Sequence, residues 1–400
     1  MKKWLLSVLV AGSWFAAPLG QAQQPEPIVL GFTTAKSGPF VTFTRRNEIA
    51  VNLAIEDVNR EGGINGKPLA ARLFDTAGKP DQAAAAVRYF ANDVGALAII
   101  GPYTSSEARI AFPAGERAKI AQMAIGSAAP GLAKPFKYAF RNTSDEGYLF
   151  KRLMTVLKEN NVPMKSAAMA YATDDVGGRT MGEVTFPQIM SEFGVPVTQS
   201  ISFPTAVFDL STQVAQIKQN PPDLIGLGAF PDPTVVLLKE LRRQGLKNVR
   251  VVGGSQSADW NLIQRAGADA EGTLVSSTYN PADDRPKTKA FSDAFIERAK
   301  AAGETGDLRP NMYDAAAYTI VRLYAEAMIR GNVTGDKAKV AQERDIIRDQ
   351  LNLIKDMETV EGHHSGFTEE GDALKTAYTL EVKDGAWRLL GHKGPNDIQD

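Results

Sequence analysis

The chain contains no cysteine. No disulfide, thiolate nucleophile or Cys-ligated metal is available to it, and an N-terminal lipid anchor, which needs a cysteine, is excluded. Histidine is scarce as well: His363, His364 and His392 all lie near the C-terminus. No G-x-S-x-G elbow, H-E-x-x-H pair or Walker A loop occurs, and the G-x-G of Gly226-Leu227-Gly228 lacks its third glycine. These gaps argue against an enzyme. Asp174-Asp175 and Asp283-Asp284 are single acidic pairs that read as solvated loops rather than metal sites. His363 and His364 are adjacent, so in a strand they face opposite ways and cannot share a metal. No cofactor and no metal are expected. There is also no basic run: 45 Lys and Arg stand against 46 Asp and Glu. A near-neutral chain of this kind offers nothing to hold a phosphate backbone, so nucleic acid is not expected as a partner.

Long apolar runs are missing too, except at the start. Lys2 and Lys3 precede an almost wholly apolar stretch from Trp4 to Ala17, Pro18 and Gly20 break it, and Gly20-Gln21-Ala22 places small residues where a signal peptidase cuts. The run is shorter than the roughly 20 residues that span a bilayer, which disfavours a membrane anchor. Residues 1–22 therefore read as a signal peptide, leading to a soluble protein in the periplasm, not lipidated. Its removal leaves 378 residues with 43 basic and 46 acidic side chains, a net charge of −3. An exported chain without disulfides needs a large core, and this length suggests two domains.

From Ile28 to about Gly272, short β-branched runs alternate with amphipathic stretches. Strands are expected at Ile28–Thr33, Leu69–Asp75, Ala96–Gly101, Ala121–Gly126, Ser166–Tyr171, Val197–Phe203, Asp223–Gly228 and Val249–Gly253. The strands are apolar throughout and the helices on one face, the signature of parallel sheets covered on both sides in an α/β fold. After Ser276 the pattern turns helical, over Lys287–Ala302, Met312–Ile329 and about Lys337–Lys355. Lys383-Asp384-Gly385 then separates two short strands, Tyr378–Val382 and Trp387–Leu390, a strong hairpin signal. No Pro/Gly/Ser-rich linker divides the chain. Two domains without a linker suggest that the chain passes between them several times, through segments able to act as hinges.

Ser37-Gly38-Pro39, Asn59-Arg60-Glu61-Gly62-Gly63-Ile64-Asn65-Gly66 and Phe74-Asp75 come first in an ordered set of motifs. Gly101-Pro102, Thr104-Ser105-Ser106, Tyr313-Asp314-Ala315 and Gly371-Asp372 complete it. Each is weak alone, but in this order and spacing they resemble the Leu/Ile/Val-binding protein family of type I periplasmic binding proteins, over essentially the whole mature chain. The resemblance implies two Rossmann-like lobes, parallel sheets flanked by helices, joined by three crossover hinge strands around a ligand cleft. By it, lobe 1 holds 28–143 and 276–358, and lobe 2 holds 144–275 and 359–400. The family's usual loop disulfide has no counterpart; its positions fall near Gly78 and Thr104.

Ser105 and Ser106 stand where the strand Ala96–Gly101 runs into a helix, a natural carboxylate site. They either cap the helix or touch ligand, and the resemblance favours ligand. Ser127 ends the next strand on the same edge and is a ligand contact or a plain loop residue; the resemblance sets Ala128 at the family's Thr position. The resemblance implies cleft positions for Phe43, Tyr103, Phe230 and Tyr313, aromatics that otherwise belong in a core. Where the family holds a ligand ammonium with an acidic residue, this loop reads Gly254-Ser255-Gln256-Ser257, with Asp259 beyond it, and Val176 replaces a family Tyr. A buried ammonium needs a charged partner. The sequence thus favours an amide or an aromatic or organic acid over an amino-acid zwitterion, with Ser255 facing the ligand. Arg45 and Arg46 read as solvated surface, with a ligand carboxylate as the alternative; for Arg109 and Arg141 structural pairing is the default.

The expected function is that of a substrate-binding protein of a branched-chain amino acid-type ABC importer. Its partners would be a small-molecule ligand and an inner-membrane ABC permease, with no direct membrane insertion and a monomeric chain. A ligand-sensing subunit partnering a membrane receptor is the alternative, and an exported α/β enzyme a more distant one.

Overall fold

The structure is a computed structural model that describes residues 25–38 and 40–397, with the side chains of Thr42 and Phe43 also outside the described set. The signal-peptide reading of residues 1–22 lies outside the described residues.

The first sheet is built from β1 (Ile28–Thr34), β2 (Leu69–Asp75), β3 (Ala98–Ile100), β4 (Ala121–Ala124) and β5 (Ala139–Arg141), all parallel, in the order β2-β1-β3-β4-β5. A second sheet follows, from β6 (Ala167–Ala172), β7 (Val197–Phe203), β8 (Leu224–Gly228), β9 (Arg250–Gly253) and β10 (Leu274–Ser277). A small antiparallel sheet comes next: β11 (Met357–Thr359), β12 (Gly362–Phe367) and β13 (Ala373–Lys375). The last two strands, β14 (Ala377–Lys383) and β15 (Ala386–Lys393), return to the second sheet, whose order is β15-β14-β10-β9-β8-β6-β7. This is the α/β architecture expected from the alternation.

Continuous apolar strands explain why both sheets are covered. Every residue of β3, β4, β8 and β10 is buried, which only helices on both faces can achieve. The sequence missed β5, β10 and the small sheet, runs of three to six residues without a usable period. The hairpin is found where Asp384-Gly385 foretold it, with positive φ of 53° and 68° at the two turn residues. β12 turns His363 outward and buries His364, as adjacent strand residues must.

The chain crosses between the sheets three times: after β5, after β10 and between β13 and β14. In each sheet the strand order reverses beside the first strand of its parallel set, β1 and β6. Such reversals leave a crevice outside the carboxyl ends of the strands, where ligands bind. Residues beyond the carboxyl ends of the two sheets meet, as Ser106 does Asp175 at 3.3 Å.

Candidate functional site

The first-lobe wall of the site begins at the turn after β3. The helix Ser105–Ala118 starts there because Thr104 caps it: Thr104 Oγ1 accepts from Glu107 N at 3.1 Å, and Glu107 Oε2 accepts from Thr104 N at 2.9 Å. The capping reading of Ser105 and Ser106 is therefore corrected. They are the first two helical residues, with their N–H groups at the positive end of the helix dipole. Ser105 is buried, and its Oγ accepts from Ala129 N at 3.2 Å, tying the β3 turn to the loop after β4. In that loop Ser127 is fully buried, and its Oγ has no hydrogen-bond partner among the described residues.

Tyr103 and Tyr313 meet edge to face, with centroids 5.2 Å apart. Gly126 makes room for them: a Cβ there would lie 3.0 Å from the Tyr313 ring and 3.2 Å from the Tyr103 ring. The Tyr103 hydroxyl is buried without a partner, and burial pushes its pKa well above the usual value. The Tyr313 hydroxyl instead crosses the cleft and donates to the Ser255 carbonyl at 3.1 Å.

The second-lobe wall comes from the ends of β6, β8 and β9. Ser255 is buried against Glu146: its N–H donates to Oε1 at 2.9 Å and its hydroxyl to Oε2 at 2.6 Å. Gly254 permits this approach, since a Cβ there would sit 2.6 Å from Glu146 Oε1. Glu146 is fully buried, is linked to Ala128 by its own N–H (3.0 Å to the carbonyl), and pairs with no lysine or arginine among the described residues. Burial pushes its pKa up to about 7, against the lowering effect of its Ser255 bonds. Sequence reasoning missed this residue. The loop after β9 carries no acid at Ser255, but a carboxyl from another segment lies against it.

Two further corrections concern charged residues. Asp175 is not solvated: it is buried, caps the helix Val176–Thr180 through Gly178 N (2.8 Å), and accepts from Gln256 Nε2 (3.3 Å) and Ser106 Oγ (3.3 Å). Arg46 is not on the surface either. It is buried, paired with Asp314 at 3.1 Å and donating to the Asp307 carbonyl at 2.9 Å, whereas Arg45 is exposed and pairs with Glu304. Arg141 is structural, gripping Asp372 through two nitrogens at 2.5 and 2.6 Å, and Arg109 is exposed.

The structure thus brings together Tyr103, Ser105, Ser106, Ser127, Ser255 and Tyr313. Phe230 sits at one end, buried and edge-on to Phe40 at 5.3 Å. Phe43 lies in the short helix Val41–Thr44, but its side chain is outside the described residues. The lobes touch directly through Ser106 and Asp175, Tyr313 and Ser255, Phe40 and Phe230, and the Trp260 indole, which donates to the Pro310 carbonyl at 2.6 Å. Among the described residues, three buried polar atoms at this junction have no hydrogen-bond partner: Tyr103 Oη, Ser127 Oγ and Gln256 Oε1. Among the described residues there is no cluster of metal-ligating side chains, and no helix is long and apolar enough to cross a membrane.

The family model for periplasmic binding proteins matches residues 27–386. A Leu/Ile/Val/Thr-binding protein of Salmonella typhimurium is 28% identical over 303 residues, covering 74% of this chain and 80% of the relative. Among solved structures, a leucine binding protein from Thermotoga maritima superposes with a TM-score of 0.79 at 20% identity, covering 93% of this chain and 100% of that one. A solute binding protein of an ABC transporter from Rhodopseudomonas palustris, in complex with 3,4-dihydroxy benzoic acid, gives 0.77 at 18% identity, covering 94% and 98%.

Proposed function

The chain belongs to the type I periplasmic binding proteins of the Leu/Ile/Val-binding family, and on that premise we propose that it captures a small amino acid in the periplasm and delivers it to an inner-membrane ABC permease. The lobes that close on the ligand are 28–143 with 276–358, and 144–275 with 359–400. No bond is made or broken; the work is done by closure about the three crossings.

The observation that carries the amino-acid reading is Glu146, a buried carboxyl without a cation partner among the described residues, set on Ser255, whose carbonyl receives the Tyr313 hydroxyl from the other wall. A ligand ammonium supplies the missing charge and ionises Glu146. The ligand carboxylate is suited to the first-turn N–H groups of the helix Ser105–Ala118, with Ser127 and Tyr103 as further donors. Phe40 and Phe230 offer an apolar wall for the side chain. Glu146 thus removes the ground for preferring an amide or organic acid that the neutral loop at Ser255 gave.

A second reading keeps a specific support. While Glu146 is protonated it can donate a hydrogen bond to an acid, and the Rhodopseudomonas palustris neighbour is solved with a dihydroxybenzoic acid. Calorimetry with leucine and with 4-hydroxybenzoate, on the unaltered protein and on Glu146→Gln, separates the two. The amino-acid reading expects leucine-class binding that weakens at least about tenfold in Glu146→Gln, as loss of a buried charge partner should. Tight 4-hydroxybenzoate binding indifferent to Glu146→Gln, with no response to leucine or other amino acids, would replace it.

A further inference from the structure

Away from the cleft, a trough of about 540 Å³ lies between three first-lobe helices, Asn47–Arg60, Pro286–Ala301 and Met312–Arg330, with residues 357–360 completing its wall. Its lining is apolar at Leu53, Phe291, Ala294, Met357 and Val360. Most of the charges around it are already matched. Asp57 accepts from the Tyr318 hydroxyl at 2.6 Å and pairs with Arg60 at 2.8 Å, Glu61 pairs with Arg322 Nη2 at 2.8 Å, and Lys287 Nζ donates to the Glu358 carbonyl at 2.8 Å. Two polar atoms are not matched: Thr319 Oγ1 and Arg322 Nη1 are both buried without a hydrogen-bond partner among the described residues. Thr319 is 1% exposed. Three positions apart on one helix, these residues project from the same face.

A hydroxyl and a guanidinium N–H, desolvated and unpaired, are costly to leave so. Both are donors, one of them charged, and they stand beside an apolar wall in a space of ligand size. We propose that this trough is a second small-molecule site, for a monocarboxylic acid with a short apolar body. The carboxylate accepts from Arg322 Nη1 and Thr319 Oγ1 in charge-assisted hydrogen bonds, and the body packs on Phe291, Leu53 and Met357. A cation would find only the Thr319 hydroxyl oxygen as a comparably buried unmatched acceptor among the described residues, and the Arg322 guanidinium beside it repels one.

The trough is also joined to the closing machinery. The helix carrying Thr319 and Arg322 begins beside Tyr313, whose hydroxyl reaches Ser255 across the cleft. Residues 357–360 lead into Glu361, which accepts from Asn142 at 2.7 Å and Thr278 at 3.1 Å, two residues at the crossings between lobes.

Hexanoate titrated into the whole mature protein, followed by calorimetry, tests the site. The expected result is saturable millimolar binding that weakens roughly tenfold in Arg322→Gln and in Thr319→Val, as loss of a hydrogen bond in a charged network should. Ala294→Phe, which fills the trough without removing either donor, is expected to abolish it. Glu146→Gln and Ser127→Ala are expected to retain it, and melting curves check that each variant is folded. No saturable binding to the unaltered protein, or binding that survives Ala294→Phe and is lost in Ser127→Ala, would overturn the proposal; the latter would assign hexanoate to the cleft.

Discussion

On the proposed amino-acid reading, Glu146 sets how ligand binding responds to pH. With its pKa near 7 in the folded protein, it is largely protonated in mild acid, and an ammonium ligand has to drive that proton off. Affinity for an amino acid is therefore expected to fall as pH drops below about 7, with measurable proton release when calorimetry near pH 6 is repeated in buffers of different ionisation enthalpy. The linked effect on stability has the opposite sense. A carboxyl raised from 4.5 to about 7 binds more protons folded than unfolded, so its contribution is complete below pH 4.5 and is lost as pH rises to 7. At about 1.4 kcal/mol per pKa unit, the difference between the unaltered protein and Glu146→Gln should change by up to about 3 kcal/mol across that window. Tyr103→Phe makes a different test. Its hydroxyl is buried and unpaired, so the unliganded protein should keep its stability or gain up to about 1 kcal/mol, while ligand affinity drops several-fold. Unchanged affinity would remove Tyr103 from the site. Ser127 could be singled out in the sequence because it ends a strand, and Tyr103 and Tyr313 through the family resemblance. Glu146 could not, because an acid after Asp145 in a helical first turn is what any helix start shows.

At the scale of elements, the start of the helix Ser105–Ala118 rests on one carboxyl. Glu107 holds Thr104 N at 2.9 Å and accepts from Thr76 Oγ1 at 2.5 Å, bridging the loop after β2 to the turn after β3. That bridge spans the neighbourhood of Gly78 and Thr104, where the family resemblance places a disulfide. Glu107→Ala should cost roughly 2 kcal/mol in chemical denaturation, the sum expected from a lost cap and an unsatisfied buried hydroxyl. The Thr-x-x-Glu spacing of this capping box was present in the sequence. Ser106 acts between elements: its Oγ meets Asp175 Oδ1 and Val176 N across the cleft, at 3.3 and 3.4 Å. Ser106→Ala should leave the melting temperature near its original value and increase the radius of gyration of the unliganded protein in solution scattering. An unchanged radius would show that this contact does not hold the lobes together. The Asp175 side of the contact was not legible, because a buried N-cap aspartate and a solvated one look alike in a loop.

Over the whole molecule, the crossings are tied together by one buried carboxylate. The Lys375–Glu361 pair is 2.7 Å long and buried on both sides, and Glu361 also holds Asn142 and Thr278. One carboxylate thus gathers residues from beyond β5, beyond β10 and the end of β13. Removing one partner strands the other charge, so Lys375→Met should cost roughly 3–5 kcal/mol. Lys375→Met combined with Glu361→Gln should recover much of it in the same denaturation experiment, since the glutamine keeps hydrogen-bonding capacity without the charge.

The sequence alone determined the architecture and its order. Apolar strands, one-faced helices and the Asp-Gly turn are local patterns whose period and chemistry admit few arrangements. It pointed to the strand ends on one edge, because parallel sheets put their carboxyl ends together. It could not determine which carboxyl lies against Ser255. Glu146 and Ser255 are more than a hundred positions apart, as are Arg46 and Asp314, and such pairings exist only once the sheets have packed across the crossings. Burial then turns an ordinary glutamate into one that titrates near neutrality, because desolvation depends on what surrounds a group in space.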